Sequence, residues 1–171
     1  MNKLTLRSAT LAFVGAAALV GLTGCEQTFD TAKLQSGIKA EAVKGFPGHD
    51  VKSVECRSSK SIKVEAGATF ECKVTVDDTT GRFIVTQTDA KGNVHFEQIE
   101  AFLDRPKLEE KISADVSKQV GANTTVTCGK PMVLTYAPKA SFNCTGSDGK
   151  DEKPIKITVT DVAGNVEWAI E

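Results

Sequence analysis

The sequence has no excess of charge of either sign, and this excludes one broad class of partner. Its 21 lysines and arginines nearly balance its 22 aspartates and glutamates, for a formal net charge of −1 over 171 residues. Proteins that bind nucleic acid carry a basic surface, because their contacts neutralise backbone phosphates. Both halves of this chain are close to neutral, so we expect no nucleic-acid partner.

Sequence patterns of catalysis are also absent. The chain has two histidines, His49 and His95, and neither has a candidate nucleophile beside it in sequence. No GxSxG, P-loop or paired metal-ligand motif occurs, so nucleophilic and acid–base catalysis have no visible apparatus. We therefore expect a protein that is not an enzyme, with no catalytic residue, no metal and no cofactor.

A hydrophobic run long enough to cross a bilayer is missing as well. The apolar stretch from Ala9 to Val20 is shorter than the roughly 20 residues that a spanning helix needs. Lys3 and Arg7 precede it and small residues follow it, which is typical of an export signal. We predict a signal peptide over residues 1–24.

The end of this stretch, Leu22-Thr23-Gly24-Cys25, resembles the lipobox of bacterial lipoproteins. In such proteins a diacylglyceryl group is attached to the cysteine sulfur, and cleavage leaves that cysteine as the first residue. The resemblance implies that Cys25 is lipidated, that residues 25–28 form a short tether, and that acyl chains hold the protein on the extracytoplasmic face of the cell membrane. A conventional signal peptide followed by an incidental cysteine is the alternative.

The rest of the chain contains one pattern twice. Nine residues recur in the second half, each displaced by the same number of positions. They are Cys56, Phe70, Cys72, Thr86, Thr88, Asp89, Gly92, Asn93 and Val94, which reappear as Cys128, Phe142, Cys144, Thr158, Thr160, Asp161, Gly164, Asn165 and Val166. The period exceeds the roughly 20 to 50 residues of solenoid repeats, which favours duplication of a small domain. We predict two repeat domains, 29–102 and 103–171.

The five cysteines are an odd number for an exported protein, and the lipobox accounts for Cys25. The other four allow several pairings. A duplicated domain should carry its own disulfide, so we expect Cys56 to pair with Cys72 and Cys128 to pair with Cys144. A zinc or redox site is the alternative, but no CxxC occurs and the histidines have no counterparts in the second copy.

Hydrophobic periodicity predicts an α+β fold in which each copy is one helix packed on a four-stranded antiparallel sheet. Apolar residues recur every fourth position at Leu34, Ile38 and Ala42, and again at Leu108, Ile112 and Val116. Segments of strand character lie at 51–56, 62–64, 68–76, 83–87 and 94–96, and then at 125–128, 132–136, 140–145, 154–160 and 165–170. Polar turn sequences separate them, among them 77–81 and 89–93.

Several polar and aromatic features allow two interpretations. The acidic hairpin tips and the repeated Thr-Asp pairs are typical of turns, with a cation site or another functional role as the alternative. Core packing is expected for the matching aromatic residues, with a binding platform as the alternative. The residues concerned are Asp77, Asp78, Asp148, Asp151 and Glu152 at the tips, Thr88-Asp89 and Thr160-Asp161 in the pairs, and Phe96 and Trp168 among the aromatics.

These features together resemble the DUF4333 family, a domain of unknown function in secreted and lipid-anchored proteins of actinobacteria. The matching pattern is a lead helix, a cysteine, small-x-Phe-x-Cys at 68–72 and 140–144, and a Gly-x-Val turn at 92–94 and 164–166. The chain departs from the family at Arg57 and Gly129, where proline is frequent, and at Lys139, where the first copy has glycine. The resemblance implies a tandem of this domain and no activity.

We therefore expect a non-enzymatic envelope lipoprotein whose two domains bind a protein or a wall component at residues that the sequence does not identify. A looser likeness of architecture to the β-lactamase inhibitory proteins gives the alternative, an inhibitor of an envelope or extracellular enzyme. An enzyme acting on envelope substrates is a third candidate. The polar outer faces of the sheets are a candidate contact strip, formed by Thr69, Glu71, Lys73 and Thr75, and by Ser141, Asn143 and Thr145.

Overall fold

A computed structural model describes residues 2–4, 30–56 and 64–171, with the backbone alone for 2–4. Its described residues fall into two units: the first runs from Asp30 to Ile99, and the second combines 2–4 with 100–171. Cys25, the tether 25–28 and most of the predicted signal peptide lie outside the described residues. So does most of the predicted strand 62–64.

Each of the two helices is followed by a run of strands that pair antiparallel. In chain order they are β1 (Asn2–Leu4), α1 (Thr31–Gly45), β2 (Val51–Cys56), β3 (Thr69–Val76), β4 (Thr79–Gln87), β5 (Val94–Gln98), β6 (Ala101–Asp104), α2 (Arg105–Val120), β7 (Thr125–Thr127), β8 (Val133–Tyr136), β9 (Ser141–Ser147), β10 (Glu152–Val159) and β11 (Val166–Ile170). The predicted α+β class is confirmed. In the described parts of the chain, neither helix is long and apolar enough to span a bilayer.

Helix α1 begins where Asp30 caps it, because the Asp30 carboxylate accepts a hydrogen bond from the backbone N–H of Lys33 at 3.0 Å. Its predicted apolar stripe is confirmed, since the side chains of Leu34, Ile38 and Ala42 are all buried. The helix ends after Gly45. The Asp30 cap fixes where the helix begins, and the buried stripe fixes which of its faces turns inward.

The sheet of the first unit follows chain order, β2-β3-β4-β5, with every pair antiparallel. Alternate residues of β3 are buried, including Phe70, Cys72 and Val74, as the alternation in the sequence predicts. The predicted turn at 77–81 is too long: the chain turns at Asp77 and Asp78, and β4 already begins at Thr79.

Helix α2, like α1, begins at a capping aspartate. The carboxylate of Asp104 accepts from the backbone N–H of Lys107 at 3.3 Å, and a proline stands in the first turn. Gly121 ends the helix in the left-handed region, at φ 72°, a conformation that glycine adopts without steric cost. The buried face of the helix enters the core of the second unit, which includes Leu108, Ile112, Val116, Ile157 and Trp168.

The second sheet departs from the predicted four strands. Its order is β1-β11-β10-β9-β7, so Asn2–Leu4 adds a fifth strand at the edge. The predicted strand 132–136 is β8, which pairs with β6 in a separate two-stranded sheet. Ala101 and Phe102, which the sequence analysis assigns to the first repeat, belong to β6 and lie in the second unit.

Candidate functional site

Both disulfides join strands that the backbone already brings together. Cys56 in β2 stands directly opposite Cys72 in β3, with their Cα atoms 4.1 Å apart. Cys128, which follows β7, bonds to Cys144 in β9 with a Cα separation of 4.2 Å. Each disulfide spans 16 positions, and the pairing is the one that the sequence predicts. These four cysteines are structural.

The repeated Thr-Asp pairs build turns. In the first unit the Asp89 carboxylate accepts hydrogen bonds from the backbone N–H groups of Lys91 and Asn93, at 2.8 and 3.1 Å, and from the Asn93 side-chain amide at 2.6 Å. The amide of Asn93 is the main reason that the pKa of Asp89 lies below its ordinary value. These three hydrogen bonds fix the loop, which favours the structural interpretation.

The hairpin tip of the first unit carries a histidine–aspartate pair that the sequence did not reveal. His49 Nδ1 lies 2.8 Å from one Asp77 oxygen, and the backbone N–H of Asp50 donates to the other at 2.9 Å. These bonds lower the pKa of Asp77, the Asp50 contribution being the larger. Asp77 has φ 51°, so the pair also anchors a residue in the left-handed region.

The acidic tip of the second unit is a turn of the same kind. The Asp148 carboxylate accepts from the backbone N–H groups of Asp151 and Lys150, at 2.8 and 2.9 Å, and these bonds lower its pKa, the Asp151 bond most. Within 30–56 and 64–171, no group of three or more histidine, cysteine, aspartate or glutamate side chains is placed to hold a metal ion.

A groove with a volume of about 350 Å³ lies between α1 and β2 in the first unit. Its lining combines polar and apolar surface and includes two lysines. The lining residues are Ala32, Gln35, Ser36, Lys39, Lys52, Ser53 and Val54. The volume is within the range of about 300 to 1,000 Å³ that is usual for ligand sites. No sequence signal marks it, because its residues come from the solvent face of a helix and from the first strand.

The two lysines of the groove are held in place from the strand side. Lys39 Nζ donates to the backbone carbonyl of Lys52 at 3.3 Å, and Lys52 Nζ lies 2.7 Å from an Asp78 oxygen. The hydrogen bond to Asp78 raises the pKa of Lys52. The groove therefore presents the Lys39 and Lys52 amino groups as hydrogen-bond donors for acidic or other polar groups of a partner.

The predicted polar strips face solvent in each unit. Thr69 and Lys73 are exposed, while Glu71 and Thr75 are half-buried. Their counterparts Ser141, Asn143 and Thr145 are all exposed. Trp168 is buried in the core of the second unit, as the core interpretation predicts. Its indole Nε1 has no hydrogen-bond partner among the described residues.

One ionic network in the second unit was missed by the sequence analysis. Arg105 donates to both carboxylate oxygens of Glu109, at 2.9 and 2.8 Å, and the backbone N–H of Cys128 also donates to this carboxylate, at 2.6 Å. The Arg105 Nε in turn donates to the Pro131 carbonyl at 3.0 Å. The network ties α2 to the segment after β7, beside the disulfide. Glu109 stands among other charged residues of α2, so the sequence alone does not indicate that it joins the helix to this segment.

Comparison with known proteins places a family within the first half of the chain. The model of a family described as Domain of unknown function (DUF4333) matches residues 12–92, a segment that includes the disulfide between Cys56 and Cys72. No solved structure matches the chain. Residues 12–92 are therefore similar to the DUF4333 family.

Proposed function

We propose that the protein is a lipid-anchored envelope protein without enzymatic activity, and that its domains bind a macromolecular partner. The observation that carries the proposal is the pairing of cysteines. Four of the five bond to one another, which leaves no cysteine in the chain to pair with Cys25. Stable disulfides are typical of oxidising compartments, and Cys25 ends a lipobox-like sequence, so its role is to carry the anchor.

In this proposal the chain is a tandem of two DUF4333 domains, as in secreted lipoproteins of actinobacteria. Three shared features support the duplication. Both disulfides span 16 positions, both helices begin at a capping aspartate, and Asp161 contacts Asn165 as Asp89 contacts Asn93. In the second unit β6 and β8 also pair with each other, from Ala101 opposite Tyr136 to Asp104 opposite Val133.

The partner binds at the groove between α1 and β2. Its lining runs along α1 from Ala32 to Lys39, and Lys39 and Lys52 favour a segment with acidic side chains. The partner is consequently an envelope or extracellular protein with an acidic, extended surface segment. Binding at such a site requires no reacting group.

Affinity capture tests this function. Tagged protein is purified from detergent-solubilised envelopes, and its partners are compared with those of a Lys39→Glu variant and of a matched Lys118→Glu variant on the exposed face of α2. We expect Lys39→Glu to lose at least tenfold of the captured partner, whereas Lys118→Glu retains it. Equal capture by both variants would rule out the groove.

Anchoring is tested separately by replacing Cys25 with serine and fractionating cells. The expected result is that the Cys25→Ser protein no longer carries lipid and is no longer extracted with detergent as the parent is. If lipid is still attached to the variant, Cys25 is not the acceptor.

A further inference from the structure

The outer edge of β11 accepts an added strand. Asn2–Leu4 lies antiparallel along it, with Asn2 opposite Trp168 and Leu4 opposite Val166. On its other side β11 pairs with β10, from Val159 opposite Val166 to Ile155 opposite Ile170. Within residues 100–171, β11 is therefore the edge strand of this sheet, and β1 pairs with its outer edge.

The hydrogen bonds at both ends of β11 show which backbone groups face this edge. Thr160 N–H donates to the Asn165 carbonyl and Glu171 N–H donates to the Pro154 carbonyl, at 2.8 and 2.9 Å. Because antiparallel strands alternate the direction of their hydrogen bonds, residues 165, 167, 169 and 171 bond to β10. The N–H and carbonyl groups of Val166, Trp168 and Ile170 point towards the edge.

Removal of the signal peptide uncovers these groups, and this step rests on the proposed function. Cleavage before Cys25 takes Asn2–Leu4 away from the mature chain. Natural edge strands avoid pairing with other chains by means of charged side chains, proline or a bulge. Val166–Ile170 contains neither lysine nor proline, its one charged residue is Glu167, and its pairing with β10 is regular. Among the described strands, only Asn2–Leu4 pairs with this edge of β11, so its removal leaves the edge open in the part of the chain that the structure describes.

We propose that β11 of the mature protein pairs antiparallel with β11 of a second copy, about a two-fold axis at Trp168. In this register Val166 of one copy stands opposite Ile170 of the other, so two apolar side chains meet and the half-buried Ile170 is covered. Glu167 stands opposite Ala169, so the one charge of the strand never faces itself. The pairing joins the sheets of two copies into one and is isologous.

A register-specific disulfide tests the pairing. Glu167 and Ala169 bond to β10, so across the new edge they form a non-hydrogen-bonded pair with a Cα separation of about 4.5 Å, within the range of disulfides. Chains carrying Glu167→Cys and Ala169→Cys, with different tags, are coexpressed with their export signals and analysed without reduction. We expect a mixed disulfide between the two tagged chains, in at least tenfold excess over homodisulfides of either variant alone.

Two further variants separate edge pairing from loss of packing. Ile170→Pro removes an outward-facing N–H, whereas Ile170→Ala removes the same side chain and keeps that donor. With either change added to the cysteine variants, we expect the mixed disulfide to be lost with proline and retained with alanine. Thermal unfolding of the two is compared to confirm that both fold.

The intact mass of each chain distinguishes failure of this pairing from failure of the proposed anchoring. Chains that keep residues 1–24 contradict the anchoring, and in them β1 should cap the edge and prevent the mixed disulfide. Mature chains that form no mixed disulfide, or that link to a different envelope protein through Ala169→Cys, overturn the pairing while leaving the anchor intact. A mixed disulfide in uncleaved chains also overturns it.

Discussion

Asp161 holds Asn165 across the last turn of the chain through two hydrogen bonds to one carboxylate. The backbone N–H of Asn165 donates at 3.2 Å and its side-chain amide at 2.6 Å. The same turn is closed by the N–H of Thr160, which donates to the Asn165 carbonyl at 2.8 Å. The position of β11 therefore depends on Asp161.

Replacing this aspartate should destabilise the second unit. Asp161→Ala leaves a half-buried backbone N–H and an amide without an acceptor, and we expect the free energy of unfolding to fall by about 1 to 2 kcal/mol. Urea titration followed by circular dichroism measures the change. Asp161→Asn keeps an oxygen acceptor and serves as the control, with a smaller loss. An unchanged midpoint for Asp161→Ala would contradict the role of the turn.

The Arg105–Glu109 pair should matter more than other charges on α2. Glu109→Ala leaves the Cys128 N–H and a largely buried guanidinium without their shared acceptor, and we expect a loss of about 2 to 3 kcal/mol in the free energy of unfolding. Its neighbour Glu110 is exposed, so Glu110→Ala is a matched control with an expected change below about 0.5 kcal/mol. Equal effects of the two substitutions would show that the network is not structural.

Acid should weaken the first unit partly through Asp77. Its pKa is lowered in the fold, so its ionised form contributes stability that is present above the ordinary value of 3.8 and is lost as the pH falls through the lowered folded value. Asp77→Asn removes this contribution. We expect the stability difference between parent and variant to be largest near neutral pH and to shrink below about pH 4. Denaturant titrations between pH 7 and pH 2 test it, and a difference independent of pH would contradict the assignment.

Each disulfide should stabilise the fold by lowering the conformational entropy of the unfolded chain. Replacing both Cys128 and Cys144 by alanine opens a loop of 16 positions, for which the chain-entropy model gives about 3 kcal/mol. The Cys56→Ala, Cys72→Ala variant should lose a similar amount, because its loop is equally long. Thermal unfolding of the two double variants checks this, and stability equal to that of the parent in either would be inconsistent with a structural role.

Local sequence patterns predicted the helices and most of the strands. They did not predict that β8 pairs with β6. Leu34 and Leu108 begin stripes of period four, and such a pattern needs no information from distant residues. The strand Ala101–Asp104 is only four residues long and pairs with Val133–Tyr136, with the whole of α2 between them. A short apolar run beside a helix cap therefore appeared to be a junction between domains.

The groove and the ionic network show why sites were harder to predict than strands. The groove lies where α1 meets β2, and Lys39 reaches the carbonyl of Lys52 only after both elements have packed. Glu109 and Glu110 are adjacent and identical, yet only the first faces the segment after β7. Residue type and spacing do not distinguish them, because the difference arises from the rotation of the helix.

The most direct test of the account is the intact mass of the protein extracted from cell membranes. We predict a chain that begins at Cys25 and carries the added mass of acyl groups at this first residue. A fragment spectrum then assigns the added mass to Cys25. A chain that begins elsewhere, or one whose Cys25 is unmodified, would contradict the claim that this protein acts as a lipid-anchored binding protein of the envelope.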